Sequence, residues 1–561
     1  MKRAAATIKG PKGGVWDVFI GLEIHAQIQL RSKLFSRSRA TAPSEHDDPN
    51  SRVSLFDAAF PGTLPVLNAS AVDQAVRTAV ALGSNVNLCS VFERKHYYYS
   101  DLPHGYQITQ QRRPIAVGGS LPLIFEATPP ESAPKDSTTQ ERYGSDTEQP
   151  SKLRSIGITR IQLEVDSGKS LHDRGAGAGG RSLVDLNRAG TALMEIVLEP
   201  EIRSAAEAGA AVRSLQLLLR KVGACDGNME DGSMRCDLNV SVRPSGAGGM
   251  GERVEVKNMN SVKHLMTAAA AEARRQARRL ELGEGPVERE TRGFDVAKGE
   301  TVLLRRKEGF VDYRFFPEPD LPPLVIPEAH VEAMKATLPE LPEATMARLS
   351  RDFTLPENLS RLIVCAAGDA SGYFEDLVSV RGAPEGGRRR DPRVAANWLT
   401  NNLFGLLKHE LGKEPGERDG EKYLEKLFPA ERLGGLLDLL EDGTISSQTA
   451  KSLLRVMVQE DMSIYEDEEE ERGPEGKSTA LQIVEERDLR QITNLGEIEA
   501  ICLGIIQDPH HASQLTSYRG GKKNLSKFFM GQAFKATRGR ADGNVVEKCI
   551  MRLLQPPRDG G

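Results

Sequence analysis

Residues 18–29 read VFIGLEIHAQIQ, and the way they alternate decides the fold. Val18, Ile20, Leu22, Ile24, Ala26 and Ile28 fall on one side of an extended chain, with Glu23, His25, Gln27 and Gln29 on the other. Period two with a single apolar side marks a strand that covers a core with one face and leaves the second face open. A carboxylate and an imidazole two residues apart on that second face can bind a metal ion or move protons.

The same pattern recurs along the chain. In TRIQLEVD (159–166), Ile161, Leu163 and Val165 alternate with Arg160, Gln162, Glu164 and Asp166. LVDLN (183–187) sets Val184 and Leu186 against Asp185 and Asn187, and MEIVLE (194–199) opposes Met194, Ile196 and Leu198 to Glu195 and Glu199. CDLNVSVRP (236–244) places Leu238, Val240 and Val242 against Asp237, Asn239, Ser241 and Arg243, while RVEVKN (253–258) puts Glu255 and Lys257 opposite Val254 and Val256. Together these predict one largely antiparallel sheet with a core face and a polar face. A solvated surface is the ordinary meaning of such a face. Here acids, amides and one histidine recur with a single lysine, a composition suited to chemistry.

At 561 residues the chain exceeds a single core, and roughly three domains are expected. No run of about 18 apolar residues occurs, so no membrane insertion is expected. The six cysteines are scattered without a CxxC pair, which argues for a reducing compartment and against a disulfide framework. The net charge of -5 conceals an asymmetry. Residues 511–561 carry ten Lys or Arg against three acids, whereas 466–471 read EDEEEE. A basic end on a mildly acidic protein points to nucleic acid.

We expect an α+β fold. Residues 1–15 form a basic leader, and 16–326 form a sheet-based domain with flexible inserts at 127–155 and 175–180. A helical domain covers 327–420, and a small all-helical tail covers 421–561 with an acidic insert at 462–478. Asp391–Leu411 reads as an amphipathic helix, and Ser446 or Ser447 caps the helix that follows it in DGTISSQTAKSLLRVM. GAGAGGRS (175–182) comes close to a phosphate-binding loop, but it has Arg181 in place of lysine and no strand before it, so it reads as an insert.

Glu23, His25, Glu164, Asp166 and Glu195 offer hard oxygen ligands and one imidazole, a set that suits magnesium or manganese. Arg160, Arg243, Arg305, Arg306 and Lys307 could neutralise phosphate charge. Such a mixture fits phosphoryl transfer, in which positioned cations carry most of the catalysis. KHYYYSDLPHGYQITQ (95–110) bunches four tyrosines with basic residues, which either stack a terminal nucleotide or anchor the loop.

These segments, GLEIHAQIQLRSKLFS (21–36), PGTLPVLN (61–68), RKHYYYSDLPHGYQITQ (94–110), LEVDSGKSLHD (163–173), VDLNRAGTALMEIVLEPEIRS (184–204) and MEDGSMRCDLNVSVRP (229–244), closely resemble the GatB family, the B subunits of aspartyl/glutamyl-tRNA amidotransferases. EVKNMNSVKHL (255–265), ETRGFD (290–295) and DYRFFPEPDLPPL (312–324) extend the likeness, and GKKNLSKFFMGQAFKATRGRAD (521–542) resembles the family's helical tail. The resemblance implies a cradle-like catalytic domain, a helical domain and a tail that holds tRNA. It implies ATP and Mg2+ as cofactors and a mischarged tRNA as substrate. It also implies two protein partners in a heterotrimer, a glutaminase of the amidase type (the A subunit) with a small C subunit. Carried over residue by residue, Glu23, His25 and Glu164 take the metal and phosphate chemistry, with Glu195 as a further metal ligand and Asp166 and Arg160 beside them. Lys169 would add charge stabilisation. Tyr97, Tyr98, Tyr99, Asp101, Tyr106 and Gln107 would receive the aminoacyl end, and Lys522, Lys523, Lys535, Arg538 and Arg540 would meet the tRNA backbone.

Many bacterial members carry a cysteine pair before the PGTLPVLN segment. Here residues 55–60 read LFDAAF, so a structural zinc is not expected. With the inserts, this favours a mitochondrial member acting on Glu-tRNA(Gln), the bacterial cytoplasm being the alternative location. Two competing functions are a non-catalytic tRNA-docking scaffold and a stand-alone ligase acting on a small molecule.

Overall fold

A computed structural model describes residues 7–40, 48–125, 154–172, 182–306, 314–366, 369–379, 390–411, 420–467, 478–492 and 494–555. The chain divides into two compact units, residues 1–345 and 346–561. The inserts at 127–155 and 175–180 lie almost wholly outside the described residues, as does Lys307.

In chain order the first unit contains β1 (Thr7–Lys9), β2 (Val15–Gln27), α1 (Ala69–Ala81), β3 (Asn85–Val86), β4 (Cys89–Ser90), β5 (Glu93–His96) and β6 (Tyr106–Thr109). There follow β7 (Ala116–Val117), β8 (Ser120–Pro122), β9 (Ser155–Val165), β10 (Lys169–His172), β11 (Ser182–Asp185), β12 (Ala192–Leu198), α2 (Ala205–Lys221) and β13 (Met234–Pro244). Next come β14 (Val254–Lys257), α3 (Val262–Leu282), β15 (Glu290–Asp295) and β16 (Glu300–Arg306).

Eleven strands form one sheet in the order β16-β15-β14-β13-β2-β12-β9-β7-β3, with β1 on β2 and β8 on β9. Strand β2, which carries Glu23 and His25, therefore runs between β13 and β12. Every pairing is antiparallel except β14 with β15, which is parallel because α3 carries the chain back across the sheet. Leu22, Ile24 and Ala26 are wholly buried, together with Leu163, Met194, Ile196, Leu238 and Val256 from neighbouring strands. They meet Ala75 and Val76 of α1, Leu215 and Leu219 of α2, and Leu265 and Ala269 of α3 in one core. Serines begin both longer helices: Ser204 accepts from Glu207 N and Ser261 from His264 N. Gly283, at φ 74°, ends α3 in the left-handed conformation that a Cβ disfavours.

The structure adds detail to one sequence expectation and departs from another. Within the stretch expected as leader, residues 7–9 form an edge strand paired with 15–17, and Glu281 holds the connecting turn through Gly14 N at 2.6 Å. LVDLN does not join the main sheet; residues 182–185 pair with 169–172 in a separate two-stranded ribbon, with Leu183 exposed.

Among the described residues, every helix or strand element of the second unit is a helix. Pro392–Asn397, Trp398–Leu403 and Phe404–Leu411 form one continuous helical stretch with a wider π turn in the middle. Ser446, accepting from Thr449 N at 3.1 Å, caps Ser447–Asp467. That helix runs into the segment expected as the acidic insert, the rest of which (468–477) is outside the described residues. Leu495–Gln507, Ala512–Arg519, Ser526–Ala536 and Gly543–Leu553 enclose a small core of Ile498, Cys502, Tyr518, Phe529, Val546 and Ile550.

Candidate active site

Strand register brings the polar residues together. On β2, Glu23 lies opposite Asp237 of β13, and His25 lies between Glu195 of β12 and Arg235 of β13. On β12, Glu195 faces Gln162 of β9 on its other side, and Glu255 of β14 faces Asn239 of β13. The polar face expected to be open is partly covered: Gln162, Glu164, Asp166 and Glu195 are buried, whereas Glu23, His25, Asp237 and Glu255 are half-buried. The β5–β6 hairpin supplies part of the cover, with Gln107 Nε2 donating to Val165 O at 2.8 Å and Thr109 Oγ1 to Glu164 Oε2 at 3.4 Å. What remains is a cleft of about 560 Å³ lined on several sides by charged groups, within the usual size range for a small ligand.

Among the described residues, two groups of three side chains could each hold a metal ion. The ligand atoms of His25, Glu164 and Glu195 lie within 4.8 Å of one another, and so do those of Glu23, Asp237 and Glu255. Five carboxylates and one imidazole are a hard donor set, which fits magnesium or manganese. The first group is tightly wired. His25 Nδ1 is 2.8 Å from Glu164 Oε1, and Gln162 Nε2 donates to Glu195 Oε2 at 2.7 Å and to Thr109 Oγ1 at 3.0 Å. Arg160 reaches Gln162 Oε1 at 2.8 Å and lies 3.8 Å from Glu195.

The electrostatics follow from this crowding. Burial opposes charge on His25, but the Glu164 hydrogen bond and the charges of Glu164, Glu195 and Asp237 outweigh it and raise its pKa to about 9. Burial also pushes Glu164 upward, yet its bond to His25 keeps it below the usual carboxylate value. Glu195, desolvated and beside Glu164, is raised to about 7. At neutral pH a proton on the imidazole thus neutralises part of the first acid group.

Two members of the second group are held by neutral donors. Asn239 Nδ2 donates to Glu23 Oε1 and Thr291 Oγ1 to Glu255 Oε2, each at 3.0 Å. Lys257 forms an ion pair with Asp237 and approaches Glu255 Oε1 at 3.3 Å.

Not every candidate residue reaches the cleft. Asp166 lines it but is held by Arg235 at 2.8 Å and Arg188 at 3.4 Å. Tyr97 and Gln107 line it and bond to each other at 3.2 Å. Tyr98 and Tyr99 point to solvent, Asp101 is not among the lining residues, and Tyr106 packs under Arg94 at 4.3 Å. Arg305 lines the cleft, whereas Arg243 pairs with Asp17, Arg306 with Glu288, and Lys169 is exposed on β10. The cleft also contains Asp237, Glu255, Lys257 and Arg235, which the sequence reading does not single out as site residues. Alternation sets the first three on polar faces, but nothing local reveals that β13 lies beside β2 and β14 beside β13.

In the second unit, Lys522, Lys523, Lys535 and Arg538 are exposed, and Lys523 sits over the Tyr518 ring at 4.5 Å. Arg540 is half-buried and tied to Asp488 at 2.8 Å.

Residues 18–332 match the family described as the GatB/GatE catalytic domain, and residues 385–554 match the GatB domain. The chain is 44% identical to the mitochondrial B subunit of the glutamyl-tRNA(Gln) amidotransferase of Phytophthora infestans, covering 98% of this chain and 96% of that protein. It is 42% and 43% identical to the B subunits of the aspartyl/glutamyl-tRNA(Asn/Gln) amidotransferases of Granulibacter bethesdensis and Rhodospirillum rubrum, covering 98% of this chain and 99% of each relative.

Proposed function

This chain belongs to the GatB family, and from that premise we propose that it is the subunit that activates and amidates the side chain of a mischarged aminoacyl-tRNA. The substrate is Glu-tRNA(Gln), or Asp-tRNA(Asn), and the chemistry takes two steps. A carboxylate oxygen of the attached amino acid attacks the terminal phosphorus of ATP and ADP leaves. Ammonia then attacks the acyl phosphate carbon, inorganic phosphate departs, and the side chain becomes an amide.

The observation that carries the reading is the pair of acid groups within one cleft, His25–Glu164–Glu195 and Glu23–Asp237–Glu255. Those residues would hold magnesium, which when bound supplies charge neutralisation for the phosphate oxygens. Glu164 fixes the imidazole of His25 and Gln162 orients Glu195, while Arg160 and Arg305 bring cations to the cleft wall. The substrate carboxylate is itself the nucleophile, so no activated cysteine or serine is required. Cys236 in the wall is consistent with that, since burial pushes its thiol far above the reactive range. Ammonia would come from a partner of the glutaminase type, the A subunit, and a small C subunit would complete the enzyme. The exposed Lys522, Lys523, Lys535 and Arg538 would contact tRNA phosphates, within a tail domain spanning 421–561. A mitochondrial location is part of the proposal, and fractionation of the native host tests it.

Replacing Glu164 by Gln in the assembled enzyme should abolish ATP-dependent Gln-tRNA(Gln) formation and leave tRNA affinity within about twofold. Normal turnover would refute the site. Loss of tRNA binding with chemistry intact on saturating tRNA would favour a docking role instead.

A further inference from the structure

The second acid group already contains a positive charge belonging to the protein. Lys257 ends β14 and sends its ammonium to Asp237 on the neighbouring strand and, at 3.3 Å, back to Glu255. These are two of the three carboxylates that can together hold a cation with Glu23. The ammonium holds Asp237, but Glu255 has a second, neutral partner of its own. Asn239 fixes Glu23 through Oε1 and Thr291 fixes Glu255 through Oε2, while Lys257 takes Oε1 of Glu255 and Oδ2 of Asp237. Its side chain is 35% exposed and rides on a flexible four-carbon stem, so it can leave without unpacking the core. A divalent ion and an ammonium cannot share one carboxylate oxygen at contact distance, because their repulsion in a partly desolvated cleft is strong.

We propose that Lys257 is a tethered counter-ion: it fills the Glu23–Asp237–Glu255 group while no divalent cation is bound, yields the carboxylates when one binds, and then offers its ammonium to the phosphate oxygens of the nucleotide. One side chain thereby links loading of the acid group to reception of the phosphate. This rests on the magnesium–ATP reading of the cleft.

The test uses the full-length chain and Mn2+ alone, without nucleotide, followed by calorimetry or electron paramagnetic resonance. Wild type should bind two Mn2+ ions with unequal affinity. Lys257→Met should tighten the weaker site at least tenfold, while Lys257→Arg stays within threefold of wild type. In the assembled enzyme the Met variant should also raise the KM for ATP at least fivefold, a change the Arg variant should largely avert. Circular dichroism checks the fold, and Lys257→Gln replaces the Met variant if that one does not fold. A folded neutral variant whose Mn2+ affinities both match wild type within threefold overturns the proposal while leaving the metal reading standing. Absence of any Mn2+ binding in wild type overturns both.

Discussion

His25 shows how much a single residue owes to its neighbours. Its pKa of about 9, against 6.5 for a free imidazole, means that folding favours the protonated form. The stabilisation this confers is fully present below pH 6.5 and is lost as the pH rises through about 9. With chelator present, the protein should therefore become less stable between those limits, by about 3 kcal/mol at most. Thermal unfolding across that pH range measures it, and a slope that persists in His25→Gln would assign the effect elsewhere. Glu195 adds in the same direction at lower pH, because its ionisation is disfavoured in the fold between 4.5 and about 7. Saturating magnesium should reverse the trend, since a metal ligated by His25 competes with the proton.

At the level of the strand, adjacent residues of β2 carry separable duties. Leu22 is wholly buried while Glu23 faces the cleft. Leu22→Ala should cost about 2–5 kcal/mol of stability, read as a lower denaturant midpoint. Glu23→Gln should change that midpoint little and should weaken Mn2+ binding at its acid group. Equal destabilisation by the two would make Glu23 a structural ion-pair partner. This separation is legible in the sequence because period two assigns faces without any knowledge of neighbours, as it does for β2, β9, β12, β13 and β14. Adjacency is not legible. Whether Asp237 lies beside Glu23 depends on a register between segments 214 positions apart, which no local pattern encodes. For the same reason the LVDLN segment alternates as a strand should, yet belongs to a different sheet from the one its pattern suggests. The parallel step from β14 to β15 likewise depends on α3 crossing over, a matter of topology rather than periodicity.

Across the whole molecule, charge is unevenly spread. The cleft in the first unit concentrates carboxylates and the cations that answer them, whereas the exposed lysines and arginine of the last helices have few acids nearby in the sequence. Changing Lys522, Lys523, Lys535 and Arg538 together to Ala should weaken tRNA binding and flatten its salt dependence by about one unit of log–log slope per lost phosphate contact. Filter binding over a salt series measures this, and an unchanged slope would exclude the tail from the tRNA contact. The position of β2 inside the sheet has a consequence for the way the protein is made. Its two flanking strands are β12 and β13, and the Asn239–Glu23 bond joins residues 216 apart. A ribosome must therefore deliver more than the first 240 residues or so before this strand acquires both neighbours. Until then a long apolar strand emerges with unpaired edges, the kind of segment that aggregates during synthesis. Slow translation or scarce chaperone would deplete this protein at birth, before any substitution in the cleft had a chance to matter.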